Sequence, residues 1–125
     1  MARNKILVID DEESLCRFLK LNLEGTGSYE VRVELKAANA FKAAMAFVPD
    51  LIILDYMMPE MDGGDVAMQL KNHPTTSKIP VIFLTAIATK SDSQGQRNLI
   101  AGRCVMAKPV DMDELIANIE WSIKK

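Results

Sequence analysis

Little in this chain suits stapling, membrane crossing or coating a polyanion. Its 125 residues include two cysteines, Cys16 and Cys104, too few by themselves for a disulfide framework or a zinc site. Both read as small buried residues of a reducing compartment. The single histidine, His73, stands beside Pro74 in a polar stretch and reads as a solvated loop residue. No apolar run approaches the roughly 18 residues that cross a bilayer. Ile6–Ile9, after Met1-Ala2-Arg3-Asn4-Lys5, is too short for a signal-peptide core and ends in two acids, the pattern of a cytoplasmic protein. Charge of one sign is not in excess: 15 Lys+Arg against 17 Asp+Glu leave −2, which forecasts no basic nucleic-acid surface. Linkers, repeats and low-complexity tracts are missing as well. What remains, 49% hydrophobic and 26% charged, is the balance of one ordinary domain spanning residues 1–125.

Four short apolar runs are there: Ile6–Ile9, Leu51–Leu54, Val81–Leu84 and, more weakly, Cys104–Ala107. The first three are continuous rather than alternating, as in strands covered on both faces of a parallel sheet. Tyr29–Leu35 alternates instead, with Val31, Val33 and Leu35 opposed to Arg32 and Glu34, which suits a strand nearer the edge. Helical stripes lie between the runs. Leu15, Phe18, Leu19 and Leu23 form one, ended by Gly25; Ala37, Phe41, Ala44, Met45 and Val48 form a second. Met112, Leu115, Ile116, Ile119 and Ile123 form the last, with Asp111 and Glu114 placed as a capping pair. Gly64–Lys71 is also expected to be helical, as is Lys90–Ile100, where Gly95 and polar residues dilute the pattern. Strand followed by helix, five times over, implies a parallel sheet with helices on both faces. Right-handed crossovers then gather the loops after each strand at one carboxyl edge, where ligands bind.

The first polar residues after the runs are chemically alike. Asp10, Asp11 and Glu12 follow the first run, Asp55 the third strand, Thr85 the fourth and Lys108-Pro109 the fifth. Three carboxylates brought within a few ångströms repel one another unless a cation sits among them. Oxygen donors of this kind suit Mg²⁺, which takes one or two carboxylates and a phosphate. A lysine and a hydroxyl opposite the metal complete a clamp for phosphoryl oxygens. Solvated loop acids are the plainer alternative, and they account poorly for the whole set at successive strand ends.

Val8-Ile9-Asp10-Asp11-Glu12, Asp55-Tyr56-Met57-Met58-Pro59-Glu60-Met61-Asp62-Gly63, Leu84-Thr85-Ala86 and Ala107-Lys108-Pro109 resemble, in order, the motifs of the receiver domains of bacterial two-component response regulators. The resemblance covers nearly the whole chain. It implies a flavodoxin-like, doubly wound α/β fold with a five-stranded parallel sheet in the order 2-1-3-4-5. It further implies that Asp55 is the phosphoacceptor, becoming phosphoaspartate. Asp10 and Asp11, the latter more directly, would hold Mg²⁺ with Asp55 and the backbone carbonyl of Met57. Thr85 would bond a phosphoryl oxygen, Lys108 would pair with the phosphate, and the Lys108-Pro109 bond would be cis. The implied partners are a histidine kinase or histidine phosphotransfer protein and a downstream protein target, with no direct nucleic-acid or membrane contact. The chain would be a monomer or a phosphorylation-dependent dimer, catalysing only its own phosphorylation and dephosphorylation. Its signal would leave through the face of the fourth helix, fifth strand and fifth helix.

One position departs from the family pattern. The aromatic usually found three residues before the lysine is Val105 here, so coupling from Thr85 must rest elsewhere, on Met106 or on the loop alone. In the family that the chain resembles, the positions two after the phosphoacceptor and two after the threonine flank the approach of water. Here they are Met57 and Ile87, both apolar, which implies slow loss of the phosphoryl group. Trp121 suits either an output surface or ordinary packing, and the eight methionines read mainly as core and scaffold. A haloacid-dehalogenase-type enzyme also uses a strand-end aspartate and Mg²⁺, but it wants a second Asp where Met57 stands. A degenerate receiver is disfavoured by the complete set of acids, Thr85 and Lys108.

Overall fold

The computed structural model describes residues 3–86, 98–100 and 103–124. The continuous apolar runs form the middle of the sheet. β1 (Asn4–Ile9), β3 (Leu51–Asp55) and β4 (Val81–Thr85) lie side by side and parallel, with every residue of β3 and β4 buried. They lack alternation because each is covered twice. Ile6, Val8, Ile53 and Leu84 enter a core shared with α1 (Glu13–Gly25) and α4 (Met112–Lys124). Leu7, Ile9, Leu54 and Phe83 enter another shared with α2 (Ala40–Phe47) and α3 (Gly63–Lys71).

β2 (Tyr29–Glu34) takes the edge beside β1, and its alternation holds: Tyr29 and Val31 are buried, Glu30 and Arg32 exposed. β6 (Arg103–Ala107) pairs with β4. The parallel strands therefore run β2-β1-β3-β4-β6, the expected doubly wound order. The helix expected over Lys90–Ile100 is corrected at its end. Asn98–Ile100 form a short strand, β5, antiparallel to β6 with Leu99 opposite Cys104; residues 90–97 lie outside the described residues. The outer edge of β6 carries backbone groups that need partners, and β5 supplies them.

The helices follow their stripes with two corrections. α4 is capped by Asp111, whose Oδ1 accepts the Glu114 N–H at 3.1 Å, and Leu115 and Ile119 are buried. α1 buries Leu19 and Leu23 with Cys16, but Phe18 is turned outward and 45% exposed. The helix ends at Gly25, yet the glycine its turn requires is Gly27, at φ 83°. In α2 the face is carried by Ala40, Ala43 and Ala44, small residues that let the helix lie close to the sheet. Phe41 and Met45 are only partly buried and Val48 is exposed, with a left-handed φ of 47°.

Candidate functional site

Strand register brings the polar residues together. Asp55 lies opposite Leu84 and Thr85 opposite Ala107, so β3, β4 and β6 end within a residue or so of one another. Asp10 follows β1 directly, its N–H donating to Glu34 O at 3.2 Å. Its Oδ1 accepts the Glu12 N–H at 2.9 Å, and its main-chain carbonyl accepts the Cys16 thiol at 3.2 Å. Oδ2 is buried, and its one close polar neighbour among the described residues is the Lys108 ammonium, an ion pair at 3.0 Å.

Asp55 ends β3, and the motif loop folds back over it. Tyr56 N–H donates to Leu84 O at 2.8 Å, and Gly63 N–H closes the loop on Tyr56 O at 2.9 Å. A side chain at Gly63 would put its Cβ 2.8 Å from Asp55 O and Tyr56 Cα, a clash with backbone that cannot yield easily. Asp62 and Asp65 then cap α3 reciprocally, at 2.9 and 3.3 Å. Met57 N–H donates to Asp55 Oδ1 at 3.2 Å.

The carboxylates of Asp10, Asp11 and Asp55 offer oxygens within 4.8 Å of one another, Asp11 exposed and the other two buried. Lys108 answers them from the turn after β6, where the Lys108-Pro109 bond is cis. Its Nζ lies 3.0 Å from Asp10, 3.5 Å from Asp55 Oδ1 and 3.8 Å from Glu12. Burial and then the charge of Asp10 push the Asp55 carboxyl up to about 6, against the pull of Met57 N–H and Lys108. Burial opposes the Lys108 charge, but Asp10, Asp55 and Glu12 outweigh it and raise the ammonium's pKa. Thr85 is buried at the end of β4, and its carbonyl accepts the Lys108 N–H at 3.0 Å.

Asp10, Asp11, Asp55 and Lys108 are thus brought together, with Thr85 tied to Lys108 through the main chain. Glu12 was legible as a strand-end acid, but its contact with Lys108 carried no separate signal. Cys16 was missed, because a contact six residues along the chain has no sequence signature. Its buried thiol is pushed up to about 12, first by burial and then by the charge of Asp10, so it remains a neutral donor. A groove of about 530 Å³ opens beside Lys108, with Leu15, Phe18 and Val110 along its apolar wall. Val105 is buried beside its register partner Phe83, whose ring meets Tyr56 edge-on at 5.5 Å. Met106 faces the other core, with α4. His73 is not simply solvated: it is half-buried, its ring meets Phe41 at 5.5 Å and its Nδ1 accepts the Thr75 N–H. Trp121 is half-buried on α4. Met57 is 59% exposed, while Ile87 lies outside the described residues.

Fold and site together define a doubly wound α/β domain carrying a carboxylate trio and a lysine at the carboxyl edge of its sheet. The model of the response regulator receiver domain matches residues 6–120, and the chain belongs to that family, whose general function is a phosphorylation-dependent switch. It is 34% identical over 122 residues to the phosphate regulon transcriptional regulatory protein PhoB of Rhizobium meliloti (strain 1021), covering 97% of this chain and 52% of that one. It is 39% identical over 118 residues to the response regulator PleD of Caulobacter vibrioides, covering 92% of this chain and 25% of the relative. The chain therefore spans about half the length of the first and a quarter of the second. The receiver domain of the Francisella response regulator 1452 superposes with a TM-score of 0.81 at 28% identity, over 98% of both chains. The receiver domain of the sensor histidine kinase PA1611 of Pseudomonas aeruginosa PAO1, crystallised with magnesium in its active-site cleft, shares the fold (TM-score 0.82, 24% identity, 99% of this chain and 100% of that one). Among the described residues no helix is long and apolar enough to cross a membrane.

Proposed function

We propose that residues 1–125 form a single receiver domain in which Asp55 accepts a phosphoryl group from a phosphohistidine of a histidine kinase or phosphotransfer protein. The observation that carries this reading is one ammonium, Lys108 Nζ, held 3.0 Å from Asp10 and 3.5 Å from Asp55 inside a carboxylate trio. The donor set is all oxygen and includes the buried Asp10 Oδ2 without a hydrogen bond, which fits a hard divalent cation. Asp10, Asp11, Asp55 and the Met57 carbonyl would hold Mg²⁺. Bound there, it supplies positive charge to the carboxylates and the phosphoryl oxygens.

Asp55 Oδ1 already receives Met57 N–H and Lys108, so we assign Oδ2 as the nucleophile. Its lone pair forms the O–P bond as the P–N bond to the donor imidazole breaks, and the leaving imidazole takes up a proton. The Lys108 ammonium and the Thr85 hydroxyl receive phosphoryl oxygens as charge spreads over them. The product carries nearly two negative charges where the Asp55 carboxylate carried one, and it brings new acceptor oxygens to the sheet edge. Lys108 then turns from Asp10 and Glu12 toward the phosphate; its main-chain bond to Thr85 ties the end of β4 to this movement, and the turn that follows Lys108 leads into α4. The output face takes in β6 and α4, and it meets a downstream protein. The groove beside Lys108, with Phe18 turned into it, suits the approach of the donor protein. The domain works in the cytoplasm and turns over only its own aspartyl phosphate.

Incubation with a small phosphodonor and Mg²⁺ should add one phosphoryl mass, and Asp55→Asn should abolish the addition. Equal modification of the Asn variant would sink the assignment.

A further inference from the structure

Asp10 is fixed on three sides. Its N–H is held by Glu34 O at 3.2 Å, its Oδ1 by Glu12 N–H at 2.9 Å, and its carbonyl by the Cys16 thiol at 3.2 Å. That carbonyl belongs to the peptide joining Asp10 to Asp11. Any turn of this peptide moves the Asp11 carboxylate relative to the buried Asp10 Oδ2, the oxygen that faces the site without a hydrogen bond. Among the described residues, the Cys16 thiol is the group that addresses that peptide from the helix side, and Cys16 sits in the packed core beneath, beside Leu19 and Leu23. The Cys16 backbone is itself anchored, its N–H donating to Glu12 O at 3.1 Å.

We propose that Cys16 is a positioning residue: its buried thiol locks the Asp10–Asp11 peptide and so sets the spacing of the two carboxylates that receive a divalent cation. The proposal rests on reading the acidic trio as a Mg²⁺ site. Mg²⁺ demands near-octahedral geometry at short range, so a ligand pair left free to swing binds it less well. Groups that orient metal ligands typically change affinity by tenfold or more when removed.

The test is a double-mutant cycle on Mg²⁺ affinity, measured by titration calorimetry on the unphosphorylated protein, with the metal-free Tm followed in parallel. Cys16→Ala should weaken Mg²⁺ binding roughly tenfold. In an Asp11→Asn background the same change should have little further effect, because the carboxylate it positions is gone. Cys16→Ser, which keeps a donor, should retain more Mg²⁺ affinity than Cys16→Ala; Cys16→Val, which fills the space without a donor, carries the cycle if the alanine variant does not fold. Unchanged affinity in Cys16→Ala, or the same loss in both backgrounds, would overturn the positioning role. Equal losses in the serine and alanine variants would reduce Cys16 to packing. Failure of the wild type itself to bind Mg²⁺ would be a different result: it removes the metal site and the proposal with it.

Discussion

The two ends of the sheet use charge in opposite ways. At the amino end, Lys5 N–H donates to Asp50 at 2.7 Å, and Lys5 Nζ donates to Phe47 O, at the end of α2, also at 2.7 Å, with the ammonium 5.0 Å from the Phe47 ring. Each group there has a partner, and the result is a tied helix end. At the carboxyl end, Lys108 is shared among Asp10, Asp55 and Glu12, while Asp10 Oδ2 lacks a hydrogen bond and Asp55 is held near 6. That arrangement is a poor way to stabilise a fold and a good way to await a cation and a phosphoryl group. Locally unfavourable electrostatics of this kind mark functional sites.

The strongest way to break the contrast is to neutralise each lysine. Lys108→Met should slow phosphorylation of Asp55 by roughly 100-fold or more, the scale for losing a group that stabilises developing charge. It should also destabilise the metal-free protein by about 3 kcal/mol, because buried acids lose their counter-charge. Lys5→Met removes one hydrogen bond to a helix end, worth about 1 kcal/mol, and should leave phosphorylation unchanged. Phosphorylation rates and denaturant midpoints on both variants decide it. Slowing by Lys5→Met, or normal phosphorylation in Lys108→Met, would end the division between the two ends.

Much of this contrast could be read along the chain, for reasons that particular residues make clear. Leu51–Leu54 announced a central strand because burial on both faces leaves no polar position. Asp55 and Lys108 were legible because a doubly wound sheet sends every strand end to one edge. The packing face of α2 was less so: Phe41, Met45 and Val48 dominate any hydrophobic pattern, whereas Ala40 and Ala43 do the burying and signal weakly. Phe18 fitted an apolar stripe, but Cys16 takes the buried place beside Leu19. β5 could not be foreseen from its own three residues, because its pairing depends on the exposed edge of β6.

A smaller effect sharpens the electrostatic half of the comparison. The Asp55 carboxyl, near 6 in the fold, sits above its ordinary value of 3.8, so the folded state binds the proton more tightly between those limits. Stability contributed by this group is therefore present at pH 4 and lost as pH rises through 6. Without metal, the wild type should gain on the order of 1–3 kcal/mol relative to Asp55→Asn between pH 7.5 and 4.5. Thermal melts of the two proteins in chelator across that range measure it. A pH-independent difference would mean that Asp55 is not set against Asp10 as described.

Smaller still is the expected effect on signal lifetime. Met57 has no group on its side chain to orient a water, and Met57→Asn supplies one. Gaining one such hydrogen bond, of order 1 kcal/mol, should speed decay of the aspartyl phosphate several-fold. First-order decay of the phosphorylated proteins tests this, and an unchanged rate would show that water positioning by this side chain is not limiting.

At the amino end a substitution can bring relief rather than loss. Val48 closes α2 by donating its N–H to Ala44 O at 2.9 Å, at φ 47° and ψ 65°, with its side chain 48% exposed. A β-branched residue is strained in the left-handed region, by roughly 1–2 kcal/mol. Its exposure means that removing the side chain forfeits little burial. Asparagine adopts this conformation more readily, so Val48→Asn should raise stability by about 1 kcal/mol. Val48→Gly should gain less, because glycine also frees the unfolded chain. Neither substitution lies near the acids, so Mg²⁺ affinity and phosphorylation should match the wild type. Denaturant midpoints test the first claim and phosphodonor assays the second. Destabilisation by both variants would mean that Val48 packs more than its exposure implies; altered phosphorylation would mean that the two ends of the sheet are coupled after all.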